Sequence, residues 1–287
     1  MGSERIQLGL PAGDRVTVAA QGAHVLSWQT ADGVERLYLS SQSAMDGQTA
    51  IRGGVPLCFP QFNQRVLGGH ACPKHGFARN LQWTLHSQRS GAEDAQATFT
   101  LSDSADSRAL WPFSFGVQFD VCLTPGQLRL VFSVRNTDSR AWPFSLALHT
   151  YLRVDDIART QLLGLQDQSY WDGVTHLHDP TRLSRQTAAA LTFDRLTDSV
   201  YTAPVHSLTL VQSGQRPDLH IAQSPNFPET VVWNPGAAMC GSLADMPPDG
   251  YRHMLCVEAA SVNTPVLLAP GEQWQAWQQL TVAPSPA

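Results

Sequence analysis

Short segments in which apolar and polar residues alternate run along most of this chain. In residues 115–123 every second residue is apolar, and Gly, Gln, Asp and Cys fill the positions between them. A period of two places the apolar side chains on one face of a β-strand. The alternation resumes in residues 128–134, after turn residues at 124–127. This stretch therefore predicts a β-hairpin with one buried face.

Comparable segments recur through the rest of the chain. They predict strands at residues 14–20, 23–29, 96–102, 144–152, 206–212, 219–223, 230–233, 253–259 and 273–282. Residues 102–109 and 184–190 predict loops or short helical turns, and the Pro/Ala tail after Val282 predicts a frayed end. Many short strands without intervening helices predict an all-β sandwich or barrel. Nothing resembling a linker or a repeat divides residues 1–287, so we expect one domain.

The composition excludes several classes of partner. The 287 residues include 19 basic and 24 acidic ones, the net charge is -5, and 15% of residues are charged. Because no broad basic field could hold nucleic acid or a membrane, any anion site must be local. The apolar runs are shorter than the ~20 residues of a membrane span, and Met1 leads into polar residues rather than a signal peptide. We expect a cytoplasmic monomer.

The cysteine pattern gives no sign of a disulfide framework or a zinc ribbon. The five cysteines are scattered, and no two form a Cys-x-x-Cys pair. Cys72 and His75 could offer two metal ligands, but no second pair at ligand spacing accompanies them. We therefore expect neither a metal nor a cofactor.

Residues 51–62 and 75–79 carry the strongest indication of a ligand site. The first segment reads Ile-Arg-Gly-Gly-Val-Pro-Leu-Cys-Phe-Pro-Gln-Phe, and the second reads His-Gly-Phe-Ala-Arg. Glycine permits a ligand to approach the backbone closely, and proline fixes the chain. The planar guanidinium groups of Arg52 and Arg79 suit an oxyanion such as phosphate. The alternative is a pair of surface arginines beside a tight turn.

Two further ionisable residues stand in strand-like segments. His149 shares its face of residues 144–151 with small side chains, which would leave space for a ligand. It could also be a surface or hydrogen-bonded structural histidine. Glu258 lies in an otherwise apolar segment, where a carboxylate needs an ion pair, a hydrogen bond or a cavity. A salt bridge from Glu258 to Arg252 or His253 is the structural alternative.

Together these motifs resemble the hexose-6-phosphate mutarotases (glucose-6-phosphate 1-epimerases), a branch of the aldose-1-epimerase family. Members carry an Arg-Gly-Gly-(Ile/Val)-Pro stretch and then His-Gly-(Phe/Leu)-Ala-Arg. Four later matches follow in the family's order: Leu-His-Thr-Tyr at 148–151, Thr-Asp-Ser-Val-Tyr at 197–201, Val-Val-Trp-Asn-Pro at 231–235 and Cys-Val-Glu-Ala-Ala at 256–260. The resemblance implies the large antiparallel β-sandwich, or supersandwich, of galactose-mutarotase-like proteins.

The resemblance also implies a reaction and the residues that carry it. It implies interconversion of the α and β anomers of an aldohexose 6-phosphate, above all D-glucose 6-phosphate, without metal or cofactor. Glu258 matches the family's base and His149 its acid, with the roles reversed for ring closure. His75 would hydrogen-bond near the ring oxygen, and Asp198 would orient the sugar. The cations that would hold the phosphate are Arg52, Arg79 and Lys74.

Three positions depart from the family pattern. Lys74 stands where members have glutamine, and it could add charge to an anion pocket or cap a loop. Ser199 follows Asp198 where members commonly have arginine, and Asp194 competes with Asp198 for the same role. At Gly236 the family often has tryptophan, which leaves the shape of that cavity wall open.

Other functions remain compatible with these residues. A mutarotase for unphosphorylated glucose or galactose would give little reason for two arginines at the pocket. A non-catalytic carbohydrate-binding protein could use the same sandwich, since fold alone does not fix function, but it would not need an acid and a base. An interaction module that retains the sandwich would have no affinity for sugar phosphates.

Overall fold

The computed structural model describes residues 4–64, 66–203, 206–212 and 218–283. Within these ranges α1 covers Ala105–Leu110 and α2 covers Gly236–Cys240, and neither they nor the 3-10 helices are long and apolar enough to cross a membrane. The 3-10 helices are Ala78–Asn80, Ile157–Arg159 and Gly250–His253. The strands are β1 (Arg5–Gly9), β2 (Arg15–Ala19), β3 (His24–Gln29), β4 (Leu57–Cys58), β5 (Val66–Leu67), β6 (His70–Ala71), β7 (Thr84–Ser90), β8 (Ala95–Ser102), β9 (Phe115–Thr124), β10 (Gln127–Asn136), β11 (Trp142–Leu148), β12 (Tyr151–Arg153), β13 (Thr160–Leu163), β14 (Ser169–Asp172), β15 (Leu183–Arg185), β16 (Ala190–Thr192), β17 (Thr197–Thr202), β18 (Leu208–Gln212), β19 (Leu219–Gln223), β20 (Glu229–Asn234), β21 (Met254–Leu268) and β22 (Gln273–Val282).

These strands form two large antiparallel sheets and two small ones. The nine-stranded sheet has the order β16-β13-β18-β19-β22-β10-β9-β8-β7. The eight-stranded sheet has the order β15-β14-β17-β20-β21-β11-β4, and β12 also pairs with β21. Strands β1, β2 and β3 form a three-stranded sheet, and β5 pairs with β6.

The two large sheets share one hydrophobic core. Phe119 and Phe132 from the nine-stranded sheet and Leu148 and Val257 from the eight-stranded sheet belong to a single cluster, and none of them is exposed. Burying a side chain of this size contributes about 1.5–3 kcal/mol relative to exposure. The chain is therefore an antiparallel β-sandwich, which confirms the predicted fold class.

The predicted hairpin lies at the centre of the nine-stranded sheet. Strands β9 and β10 pair without a register shift from Phe115 opposite Asn136 to Thr124 opposite Gln127. The turn between them uses Gly126 at a φ of 66°, a conformation that costs glycine little. Period-two alternation and turn chemistry therefore located this hairpin correctly.

The segment predicted as one strand at residues 144–152 is two strands. Strand β11 ends at Leu148 and β12 begins at Tyr151. Between them the His149 N–H donates to the Pro56 carbonyl at 3.0 Å, and the Tyr151 N–H donates to the Gly54 carbonyl at 2.9 Å. The backbone thus leaves its ladder to bond the Arg-Gly-Gly-Val-Pro loop. Side-chain alternation cannot reveal such a change of backbone partner.

Most of the other predicted strands agree with the structure within a few residues, although β21 extends nine residues beyond the predicted end at 259, to Leu268. The prediction of a loop or helical turn at 102–109 corresponds to α1, whereas residues 184–190 contain the end of β15, a loop and the first residue of β16. Strand β7 was not predicted because it is an exposed edge strand without a buried face. The predicted frayed tail lies outside the described residues after Ala283.

Candidate active site

A cleft opens on the face of the eight-stranded sheet that points away from the shared core. Along β21, Leu255 and Val257 join that core, whereas Met254 and Cys256 pack on the opposite face. Strand alternation places Glu258 on this outer face as well. Neighbouring strands β20 and β17 contribute further outward residues, so three adjacent strands build the floor of the cleft.

Residues far apart in sequence meet in this cleft, whose volume is about 160 Å³. Its polar and ionisable side chains are Arg52, Asn63, Lys74, His75, His149, Asp198 and Glu258. Its apolar side chains are Phe62, Val231, Trp233, Met239 and Leu243. Six of the seven predicted site residues therefore line one cleft, and Arg79 is the exception.

A larger groove of about 480 Å³ lies on the nine-stranded sheet. Its wall carries hydroxyl and amide side chains such as Ser133 and Gln118, and among the described residues that line it Arg135 is the one ionisable residue. Proton transfer at neutral pH needs a group that can both lose and regain a proton there, which an arginine cannot do. The smaller cleft is therefore the better candidate for catalysis.

Glu258 lies at the bottom of the cleft with none of its surface exposed. No described residue donates a hydrogen bond to either of its carboxyl oxygens. Burial raises the pKa of this carboxyl well above its ordinary value, and the nearby charge of Asp198 raises it further. A buried carboxyl group with a raised pKa and free lone pairs in a cleft is typical of a general acid or base.

His149 faces Glu258 from the break between β11 and β12. Its Nδ1 lies 3.3 Å from Glu258 Oε1, although the two groups are not aligned as a hydrogen bond. The imidazole stacks on the Tyr151 ring, with centroids 4.8 Å apart and planes 8° from parallel. Burial lowers the pKa of His149 well below its ordinary value, and the charges of Arg52 and Arg79 lower it further.

The alternative of a structural salt bridge from Glu258 to Arg252 or His253 is wrong. His253 Nδ1 lies 3.0 Å from the Asp155 carbonyl oxygen, and Arg252 lies over the ring of Tyr251. Within the described ranges, the group at ion-pair distance from Glu258 is His149. The carboxyl group is therefore displayed in a cavity, which was the functional interpretation.

His75 is held in one orientation by a reciprocal pair of hydrogen bonds. Its backbone N–H donates to the Asn63 carbonyl at 3.0 Å, and the Asn63 N–H donates to His75 Nδ1 at 3.2 Å. Burial and the nearby His149 lower the pKa of His75 well below its ordinary value. The ring is thus neutral with its proton on Nε2, because Nδ1 is an acceptor. His75 offers the cleft one N–H donor.

Arg52 reaches the cleft while bonded to two other residues. Its Nε and Nη2 each lie 3.1 Å from Asp245 Oδ2, and its Nη1 donates to the Tyr151 hydroxyl at 3.1 Å. Tyr151 in turn stacks against His149. The arginine is therefore held beside the acid–base pair, and Asp245 offsets part of its charge.

Lys74 and Arg79 occupy different positions. The exposed Lys74 lines the cleft. Arg79 lies behind it, and its Nη2 donates to the Lys74 carbonyl at 2.8 Å. Arg79 therefore braces the backbone of Lys74 and adds positive charge near His75 and His149, as the lowered pKa of each imidazole indicates.

The glycines of the Arg-Gly-Gly-Val-Pro loop do not serve the purpose expected from the sequence. We expected them to let a ligand approach the backbone, but Gly53 and Gly54 are buried at φ values of 115° and 59°. A Cβ on Gly54 would lie 2.1 Å from the Val25 carbonyl oxygen. His24 Nε2 lies 2.7 Å from the Gly53 carbonyl oxygen. The glycines thus let the loop pack tightly onto β3, which positions Arg52.

The structure locates the residues that depart from the family pattern. Asp198 lines the cleft, whereas the exposed Asp194 lines a different cavity. Ser199 follows Asp198 on β17 and so faces the opposite side of the sheet. Gly236 has a φ of 61°, and it lines the same other cavity as Asp194. The side wall of the cleft is instead formed by Met239 and Leu243.

Several contributors to the cleft were not identified from the sequence. Tyr151 and Trp233 lie inside matched motifs, so their motif membership was the available signal. Asp245 bonds Arg52 across 193 residues of sequence, and no local pattern marks such a partner. Phe62, which also lines the cleft, ends the first motif.

Two groups of side chains contain residue types that can bind metal ions. The Cys72 thiol donates to the Leu110 carbonyl at 3.9 Å, and His75 Nδ1 accepts from the Asn63 N–H, so both side chains of the pair considered from the sequence have other partners. A second group of ligand atoms lies within 4.8 Å of one another, and it belongs to His149, Cys256 and Glu258.

The family model described as aldose 1-epimerase matches residues 4–281. A protein of Cenchrus ciliaris, provisionally named glucose-6-phosphate 1-epimerase, is 34% identical over 92% of this chain and 80% of its own length. A relative with the same provisional name from Escherichia coli K12 is 34% identical over 86% of this chain and 79% of its own. A crystal structure of a provisionally named mutarotase from Salmonella typhimurium superposes with a TM-score of 0.88 at 30% identity, over 98% of this chain and 91% of that chain.

Proposed function

The chain belongs to the aldose 1-epimerase family, and we propose that within it the protein interconverts the α and β anomers of an aldohexose 6-phosphate, above all D-glucose 6-phosphate. Family membership supports an epimerase, or mutarotase. The phosphorylated substrate is supported by the provisional names of the relatives and by the cations at the cleft. The observation that carries the proposal is the buried His149–Glu258 pair, 3.3 Å apart, beside Arg52 and Lys74.

The reaction requires one base and one acid on the same sugar. Glu258 takes the proton of the C1 hydroxyl, the O–H electron pair forms the C=O bond of the aldehyde, and the bond from C1 to the ring oxygen breaks. His149 gives its proton to the ring oxygen. After rotation about the bond between C1 and C2, the same steps run in reverse on the other face of C1. No atom or electron is gained or lost.

The pair holds the single proton that this exchange needs. Because burial disfavours both charged forms, a protonated Glu258 with a neutral His149 is favoured before substrate binds. The imidazolium–carboxylate form contains the same number of protons. A phosphate dianion near Arg52 and Lys74 would offset two of the charges that lower the pKa of His149. Substrate binding would thereby raise this pKa and favour the form in which His149 is the acid.

The remaining residues position the sugar. The Nε2–H of His75 would donate to the ring oxygen or a neighbouring hydroxyl, and Asp198 would accept from sugar hydroxyls. Arg52 and Lys74 would contact the phosphate directly. Arg79 would act through the backbone of Lys74 and through its charge, because it does not line the cleft.

A mutarotase for unphosphorylated hexoses is the second candidate, and one observation favours it. Asp245 already neutralises part of the charge of Arg52, which weakens the case for a strong anion site. The exposed Lys74, which is paired with no acidic residue among the described ones, favours the phosphorylated substrate instead. Comparison of phosphorylated and free hexoses decides between the two.

The acid–base assignment is tested by Glu258→Gln and His149→Asn. Each variant should lower the rate of anomer exchange roughly 10²–10⁴-fold, the usual effect of losing a positioned general acid or base. Magnetisation transfer between the two anomeric proton signals measures this rate at equilibrium. Asp194→Asn is the matched control, because Asp194 is exposed outside the cleft and should leave the rate unchanged. Near-normal exchange in either cleft variant, with the fold verified, would remove that residue from the mechanism and favour a carbohydrate-binding role.

A further inference from the structure

Cys256 has no part in the proton transfers, yet it lies against the two residues that perform them. It precedes Glu258 by two positions on β21, so both side chains are on the outer face of the strand. Its thiol is fully buried, and ligand atoms of His149, Cys256 and Glu258 all lie within 4.8 Å of one another. We propose that this triad binds a thiophilic divalent cation of the Zn²⁺ type, which blocks the acid–base pair.

The spacing of the three groups suits a tetrahedral ion. Zinc binds imidazole nitrogen or carboxylate oxygen at about 2.0–2.2 Å, so two such ligands lie about 3.3 Å apart in a tetrahedral site. His149 Nδ1 and Glu258 Oε1 are 3.3 Å apart. The sulfur lies within 4.8 Å of the other two ligand atoms, and its bond to zinc is longer, at about 2.3 Å. Small rotations of the side chains would complete the three-ligand set and leave a fourth position towards the cleft.

The ligand atoms are also available. No described residue hydrogen-bonds to His149 Nδ1 or to either carboxyl oxygen of Glu258. An ion would therefore gain these contacts without breaking an existing hydrogen bond. Buried polar atoms usually have hydrogen-bond partners. These atoms have none among the described residues and point towards one another, which distinguishes the triad from a cysteine that only packs in the core.

Charge balance favours a divalent ion in this buried place. An ordinary cysteine is a thiol at neutral pH, and it binds a metal ion as the thiolate. Binding would release the thiol proton and the carboxyl proton, and His149 would use its neutral lone pair. One thiolate, one carboxylate and one divalent cation sum to zero charge, which lowers the cost of burying the ion. Binding should therefore weaken as the pH falls.

The donor set selects among cations. Thiolate and imidazole favour Zn²⁺ and Co²⁺, whereas Mg²⁺ and Ca²⁺ prefer oxygen ligands. The inhibitory consequence rests on the proposed function, because an ion on these atoms occupies both the acid and the base. The binding itself does not depend on that function.

A cobalt titration tests the site directly. Co²⁺ added to the reduced, metal-free protein should give a near-ultraviolet thiolate-to-cobalt band that saturates at one ion per chain. Zn²⁺ should remove the band, and excess Mg²⁺ should not. Cys256→Ala should abolish the band, whereas Cys58→Ala should retain it, because Cys58 is equally buried but lies outside the triad. Glu258→Gln should weaken binding more than the roughly 10–100-fold loss that follows removal of an outer-shell partner.

Two outcomes would overturn the proposal: no saturable band in wild type, or a band that persists in Cys256→Ala. Zn²⁺ should also slow anomer exchange competitively with the hexose phosphate in wild type. The failure of the proposed function would appear separately, as absence of exchange in the metal-free protein.

Discussion

Replacing Arg52 with alanine should selectively impair the reaction of the phosphorylated sugar. The guanidinium group has five N–H donors: Nε donates to Asp245, Nη1 donates to the Tyr151 hydroxyl, and Nη2 lies 3.1 Å from the same Asp245 oxygen. The second N–H on Nη1 and an N–H on Nη2 remain for a phosphate. Two charge-assisted hydrogen bonds to the phosphate would contribute more binding free energy than a single one, but Asp245 partly neutralises Arg52 and so weakens both bonds. We therefore expect a loss of about 1.5–3 kcal/mol, or roughly 10- to 150-fold in apparent affinity for glucose 6-phosphate.

The assay compares two substrates in two proteins. Saturation curves for anomer exchange of glucose 6-phosphate and of free glucose give kcat/KM for wild type and Arg52→Ala. The loss should fall on the phosphorylated sugar, and any loss for glucose should be much smaller. Asp245→Asn is a matched control, because it keeps the arginine and removes the carboxylate that offsets its charge.

Two results would show that Arg52 does not bind the phosphate selectively. Parallel losses for both sugars would mean that Arg52 only supports the cleft through Tyr151 and the stacked His149. An unchanged kcat/KM for glucose 6-phosphate would mean that the guanidinium group does not meet the phosphate. Either result would favour a neutral-sugar mutarotase.

Three further predictions concern charge, metals and pH. Arg79→Ala should reduce kcat/KM for glucose 6-phosphate less than Arg52→Ala does, since Arg79 acts from behind the cleft; an equal or larger loss would show direct contact. EDTA should not lower the activity, and a loss restored by a divalent ion would contradict proton transfer by side chains alone. Because the pKa of Glu258 is raised in the folded state, wild type should lose stability relative to Glu258→Gln as the pH rises from the ordinary carboxyl pKa through the folded-state pKa. Denaturant unfolding at several pH values measures the free energy of unfolding of both proteins. Parallel dependence of the two free energies on pH would contradict the prediction.

Side-chain alternation, which depends on local burial, predicted an all-β sandwich or barrel, and the family resemblance narrowed this to the sandwich. Alternation did not reveal strands that lack a buried face, such as β7, or strands that are too short to alternate, such as β14. The break between β11 and β12 at His149 was not predicted, because it is caused by a backbone hydrogen bond to a distant part of the chain.

The site was predicted to the extent that motifs carry its residues. Asp198, His149 and Glu258 do meet in the cleft, but local sequence could not show that Asp245 balances Arg52. Nor could it show which way Arg79 points, since that depends on how its loop folds against Lys74. Contacts between distant segments follow from the packed structure rather than from any one segment.

We propose above that the cleft acts on a hexose 6-phosphate. The most direct test is the anomer exchange rate of glucose 6-phosphate, glucose and galactose with the purified wild-type protein, each measured as kcat/KM above the uncatalysed rate. Loss of even one charge-assisted hydrogen bond costs roughly tenfold or more, so glucose 6-phosphate should be preferred by at least about that factor. Equal or greater efficiency with free glucose or galactose would mean that the cleft does not select the phosphate group.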